Sequence, residues 1–325
     1  MRAPRLLILL AAAVAVAVCI PLVYLVIRAV EGGLATASVT FGHLSVWQSA
    51  GTSLALAGLV ALSTVVVGVP VAWLVVRAAI RVRRAWIVLV VLPLAVPSFV
   101  GAYAWTSLFP GFDGFWAAWV VLTAATMPYV ILPTAAALRC LDPAHEEVAR
   151  TLGLAAIPAF VRAALPQLWP AVGGGALLAA LYVLSDFGAV SILRVDTLSR
   201  AIYASYRSSF DRSSAAMLAL LLAVLAMLVV AVEQRARGRA QRSRLATAAP
   251  RHAPAVDIVR WRAPAYALLF AVVVTGLAVP VGSTVNQLLR GSSARLDLAD
   301  LATAAGTSVW FGIVGMTVAL VFALP

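Results

Sequence analysis

Apolar runs separated by short clusters of arginine and turn residues set the rhythm of this chain. A helix needs about 20 apolar residues to cross a bilayer core about 30 Å thick. Eight stretches qualify: 6–27, 54–76, 85–109, 115–138, 171–193, 214–232, 264–282 and 305–325. Pro21, Pro70, Pro93, Pro97, Pro128 and Pro133 lie inside them. In a soluble helix each would cost about 3 kcal/mol. In a membrane bundle, neighbouring helices satisfy the freed carbonyls and kinks are tolerated. The pattern predicts an all-α polytopic membrane protein. The first run follows a positive Met1-Arg2-Ala3-Pro4-Arg5 leader, as a signal peptide would. It continues to Ile27, past the 7–15 apolar residues of a signal core, so a retained helix is expected.

Composition narrows the class further. Of 325 residues, 63% are hydrophobic and 11% charged, against about half and about a quarter in a soluble domain. The charge is too sparse to cover a water-facing surface. The 24 basic residues are all arginine, and the net charge is +12. Nucleic-acid binding would need a solvated basic face, which the apolar runs do not leave. The arginine-rich stretch 233–262 reads instead as a solvated loop attracted to anionic lipid. With the N-terminus in the cytoplasm, the inner segments hold 17 arginines and five carboxylates, and the outer side holds seven of each. The positive-inside rule therefore expects a multi-pass inner (plasma) membrane protein with a cytoplasmic N-terminus and a cytoplasmic segment at 139–169. Cys19 and Cys140 are too few for a disulfide framework and read as packing residues.

The chain also repeats itself. Ala50-Gly51-Thr52-Ser53 opens the second apolar run, and Ala305-Gly306-Thr307-Ser308 opens the eighth, at an offset of 255. The same offset sets Val66 on Val321 and Pro70 on Pro325. Internal repeats are common in transporters. The expected organisation is a first module at 1–235, a basic linker at 236–262 and the start of a second module at 263–325. The second copy stops within a helix, so a chain truncated relative to a longer two-module protein is expected.

The segment 141–169 is not membrane-like. Asp142-Pro143 is a helix start, with Asp as N-cap and Pro at the first helical position. Glu146 and Glu147 fall in the first turns, where the helix dipole favours anions. Gly153 sits where a helix stops in the left-handed conformation. A second short helix is expected from Pro158 to Leu165, closed by Pro166. Val148, Leu152, Phe160 and Val161 are available as an apolar seam between the two.

Glu147-Val148-Ala149, then Gly153, then Leu165-Pro166 resembles the EAA motif of ABC-importer permeases. That pattern is Glu-Ala-Ala, three residues, Gly, nine residues, Ile, one residue, Leu-Pro. Every spacing matches, while Val148 replaces the first Ala and Ala163 the Ile. The resemblance implies a six-helix type I permease module whose hairpin is a coupling helix docked on an ATPase dimer. Glu146, Glu147, Ala149, Gly153, Leu165 and Pro166 would carry the coupling. It also implies an extracytoplasmic substrate-binding protein as partner. The run from Pro93 to Trp105, Met127-Pro128-Tyr129-Val130 and Ser185-Asp186-Phe187-Gly188-Ala189-Val190-Ser191 look like the iron(III)-type permeases, which are often fused two-module chains. Ferric iron is the implied substrate, with thiamine, phosphonate or polyamine as alternatives.

Asp186 is the carboxylate of the fifth run, and an ionisable group in the membrane usually faces water or the bundle interior. Asp186, Phe187, Gly188 and Tyr129 could line a substrate pathway. Alternatively, Asp186 breaks the helix and bonds free backbone N–H groups. Gly173-Gly174-Gly175 opens the fifth run and serves either close packing or a hinge. Tyr103, Trp105, Trp116 and Trp119 read as an outer aromatic belt. His43, His145 and His252 are scattered, so no metal site is readable. No Gly-x-x-x-x-Gly-Lys occurs, so no cofactor is expected and the chain is not expected to be an enzyme. An ion-coupled secondary transporter would need several intramembrane ionisable groups, and a membrane enzyme a polar cluster; this sequence offers little of either.

Overall fold

The computed structural model describes residues 5–142, 144–208, 212–240, 256–291 and 298–323. Among them there are helices and one isolated bridge, Ala78 to Val256, with no strand. Seven helices are long and apolar enough to cross a membrane, and one bent pair brings the candidates to eight. Pro143, His252, Pro325 and most of the basic linker lie outside the described residues.

Helix α1 (Arg5–Gly42) and α2 (Leu44–Arg77) open the chain. α1 changes direction at Gly33, whose φ of 68° and ψ of −179° suit a residue without a Cβ. α2 runs straight through Pro70, and α5 (Gly114–Cys140) through Pro128 and Pro133. The run 85–109 behaves differently. It divides into α3 (Arg83–Val91), a 3-10 turn over Leu92–Ala95, and α4 (Ser98–Leu108), with a bend of 94°. Two prolines four residues apart explain the break. A residue before proline is pushed out of the helical region, and Val96 is extended at φ −89°, ψ 115°.

After α5 come two short helices, α6 (Ala144–Thr151) and α7 (Ala156–Ala159), and a π-turn over Phe160–Ala164. Then follow α8 (Leu165–Ser185), α9 (Gly188–Ile192), α10 (Leu198–Ser208) and α11 (Arg212–Ala240). The fifth run thus starts earlier than its apolar pattern and breaks at Asp186. α12 (Arg262–Val273), a π-turn over Val274–Ala278, α13 (Val279–Leu289) and α14 (Leu298–Ala323) complete the chain.

Helices α2, α5 and α8 form the centre, with α1 lying along α11. In lipid, tails are as apolar as leucine, so close van der Waals packing through small residues holds helices together. Gly175 of α8 shows this most clearly. A Cβ there would lie 2.4 Å from the Tyr129 carbonyl oxygen and 2.7 Å from Val130 Cα. Gly173–Gly175 sit inside α8, not at its start, and Gly175 serves packing. One core cluster, with Trp73, Ile131, Leu138, Phe160 and Leu168, lies toward the α6–α7 end. A second, with Leu56, Leu122, Leu184 and Leu193, lies toward the opposite end.

Helices α12 and α13 pack on α3 and α4. Trp86 of α3 meets Phe270 edge-on at 4.9 Å, and Ser283 Oγ donates to the Ala104 carbonyl at 3.3 Å. Two expectations are corrected here. Cys19 and Cys140 are exposed, not packed, because each falls on an outward face of its helix. Trp119 turns inward and donates from Nε1 to Ser63 Oγ at 2.9 Å, while Tyr103 and Trp116 stay exposed.

Candidate functional site

The α6–α7 hairpin is built by local capping chemistry. The Ala144 N–H donates to Asp142 Oδ1 at 3.0 Å, so Asp142 caps the start of α6. At the other end the Gly153 N–H donates to the Arg150 carbonyl at 3.0 Å, and the Leu154 N–H to the Ala149 carbonyl at 3.2 Å. These two bonds make a Schellman closure. It needs a left-handed residue, and Gly153 supplies φ 91°. Ala149 and Gly153 thus shape the turn itself.

The second half of the hairpin differs from expectation. Pro166 does not close a helix; it stands in the first turn of α8. Chain from Ile157 to Ser185 forms one continuous span. The proline lacks an N–H, and the wider π-turn just before it absorbs the missing bond. Leu165 begins α8 directly after that turn. The hairpin is therefore joined rigidly to a central helix. The expected seam is also absent. Phe160 is buried and packs on Trp73 with ring centroids 6.0 Å apart, but Val148, Leu152 and Val161 are exposed. Val148 of α6 and Leu152 just beyond it instead form an outward face beside exposed Glu147.

Glu146 has a role that the sequence did not show. It is buried and pairs with buried Arg77, at the end of α2, across 3.4 Å. Burial raises its carboxyl above the usual 4.5, while Arg77 and Arg150 pull the other way.

The second polar centre lies at the break between α8 and α9. Asp186 Oδ1 accepts from the Ala189 N–H at 3.0 Å and the Val190 N–H at 3.4 Å. The Ser98 hydroxyl donates to Oδ2, and the Ser199 hydroxyl to the Asp186 carbonyl at 2.8 Å. Both carboxylate oxygens are engaged in joining two broken helices, α8–α9 and the bent α3–α4. Gly188 makes that meeting possible, since a Cβ there would lie 2.9 Å from Phe99 Cβ. Phe187 is partly exposed and packs against Tyr203 with ring centroids 4.5 Å apart and the rings tilted by 41°. Tyr129 lies apart in α5, against Tyr182 at 5.8 Å, one turn before Asp186.

A cleft of about 980 Å³ opens between α2, the hairpin and α12. Val66, Trp73, Ile157, Phe160 and Trp261 line it, and it offers nothing to a charged ligand beyond Asp257, which pairs with Arg262 at 3.3 Å. Among the described residues, no three His, Cys, Asp or Glu side chains come together as a metal site.

The chain is a multi-span helical bundle with a capped hairpin at one end. Residues 64–237 match the model of the family described as binding-protein-dependent transport system inner membrane component. The chain belongs to this family, the inner-membrane permeases of ABC importers. It is 34% identical over 238 residues to the Fe(3+)-transport system permease protein FbpB 2 of Haemophilus influenzae, covering 73% of this chain and 47% of that one. It is 33% identical over 140 residues to the sulfate transport system permease protein CysT of Escherichia coli, 38% of this chain and 50% of the other. The molybdenum transport system permease protein ModB of Mycobacterium tuberculosis is 34% identical over 187 residues, 51% of this chain and 70% of its own. The chain spans about half the length of the first two relatives. Among solved structures, a bacterial alginate ABC transporter in complex with an alginate pentasaccharide-bound periplasmic protein shares the fold. Its TM-score is 0.55 at 15% identity, covering 68% of this chain and 88% of that chain.

Proposed function

We propose that the chain carries ferric iron inward from an extracytoplasmic binding protein, driven by an ATPase dimer docked on the α6–α7 hairpin. The observation that carries this reading is the Schellman-closed hairpin, fused without a break to the central helix α8. A short rigid helix on a continuous rod can convert closure of a partner into a rigid-body push. Glu147 and the apolar face of Val148 and Leu152 are free to meet that partner. Iron is supported by the match to the Fe(3+) permease, which runs over 73% of the chain, against 38% for the sulfate permease. Ion-coupled transport is disfavoured because both oxygens of Asp186 are already committed to helix caps and Ser98.

In this reading the hairpin end and the N-terminus face the cytoplasm, following the arginine excess. Residues 1–235 form one module, 236–262 a lipid-attracted linker, and 263–325 the opening of a second. The repeat of Ala50-Gly51-Thr52-Ser53 as Ala305-Gly306-Thr307-Ser308 supports that division. The test is binding-protein-dependent uptake into vesicles with ferric iron, thiamine, an aminophosphonate, sulfate and molybdate compared side by side. Ferric iron should be taken up at ATP expense. Uptake of another solute in its place would reassign the substrate, and uptake without ATP would overturn the importer reading for this chain.

A further inference from the structure

Arg77 is the meeting point of three elements. Its guanidinium pairs with Glu146 in the first turn of α6. Its backbone carbonyl accepts from the Val256 N–H at 2.7 Å, and the Val256 carbonyl accepts from the Ala79 N–H at 2.9 Å. The stretch leading into the second repeat is thus paired with the end of α2, and Ile258 is buried beside it. Arg77 stands in the last turn of α2, where a helix dipole favours a cation, and Glu146 in the first turn of α6, where it favours an anion. The pair therefore joins two helix ends whose dipoles both support it, away from solvent.

We propose that Arg77 is a positioning residue that ties the docking hairpin to α2 and to the 256–261 segment, so that a push on α6 reaches both repeats. The hairpin already continues covalently into α8. α2 has no covalent link to it within 60 residues of chain, and the segment at 256 comes later still. Through Arg77 the stroke spreads from α6 to α2 by a side chain, and on to 256–261 by a backbone bridge. This rests on the reading that an ATPase docks on α6–α7.

The test is amide hydrogen exchange on the full chain in lipid nanodiscs, with and without its cognate ATPase and a non-hydrolysable ATP analogue. In the wild-type chain, ATPase binding should slow exchange in 144–164 and also in 74–79 and 256–261. In Arg77→Ala, the hairpin slows as before, while the ATPase-dependent slowing at 74–79 and 256–261 falls about tenfold, within the usual range of coupling between sites. Arg77→Lys should restore most of it, which general loosening would not explain. Glu146→Gln removes only the charge and should show the same loss in smaller measure, serving if Arg77→Ala does not fold. Undiminished slowing at the distant segments in both variants overturns this inference alone. No slowing at the wild-type hairpin overturns the docking reading and this inference with it.

Discussion

At the residue scale, two buried carboxylates do different work in similar surroundings. Asp186 is satisfied by its own fold: two backbone N–H groups and the Ser98 hydroxyl point at it. Asp186→Ala leaves those donors without an acceptor and should cost about 1–3 kcal/mol. Asp186→Asn keeps the cap and should cost less; thermal unfolding in detergent separates the two. Glu146 has one charged partner and a raised carboxyl. A carboxyl whose folded value is raised contributes stability that is present below its ordinary 4.5 and lost as pH rises through the raised value. Melting curves of wild-type and Glu146→Gln chains across pH 4 to 7 should therefore separate as pH rises, with the wild-type chain losing stability relative to the variant. A constant difference across that range would show that Glu146 titrates normally. The residues that sequence reading missed, Arg77 and Ser98, carry no signal alone, being an arginine ending an apolar run and a serine after a proline.

At the element scale, helix ends and helix contacts obey different rules. The α6–α7 turn depends on one left-handed residue. Gly153→Pro cannot adopt φ 91° and should abolish ATPase-stimulated uptake while the transmembrane bundle still folds; unchanged uptake would count against the coupling role. Contacts between spans depend on side-chain volume. Gly175→Ala drives a methyl into the backbone of α5 and should cost about 1–3 kcal/mol. Gly58→Ala, in α2 with nothing within 4 Å, should be neutral or stabilise by up to about 1 kcal/mol. Both are read by thermal unfolding. The sequence showed that glycines were present in each helix, but not which of them faces a neighbour.

At the scale of the whole molecule, the arginine excess in the sequence predicts one orientation, with the hairpin in the cytoplasm. In a background with Cys19 and Cys140 replaced by alanine, Thr151→Cys should react with a membrane-impermeant maleimide only after cells are opened. Tyr206→Cys, exposed in α10, should react on intact cells. The opposite pattern would invert the orientation. The C-terminal helices also pack back on the N-terminal part of the chain. α12 and α13 lie against α3 and α4, and a Cβ on Gly276 would sit 2.8 Å from Pro93. Packing thus joins residues on either side of 236–262.

Sequence alone determined the helical class, the spans and the hairpin with its glycine stop. These follow from hydropathy, capping and backbone conformation, each set by residues within a turn or two. Its errors arose where a proline or carboxylate had to be placed in a bundle: Pro93 and Pro97 break a span by 94°, whereas Pro166 lets one continue. Only the tertiary structure decided that Arg77 meets Glu146 across 69 residues and Ser98 meets Asp186 across 88. The physical reason is that lipid and protein interior are equally apolar. Hydropathy says that a residue lies in the membrane, but which face of its helix meets another helix is settled by packing, and by the few polar groups that need a partner there.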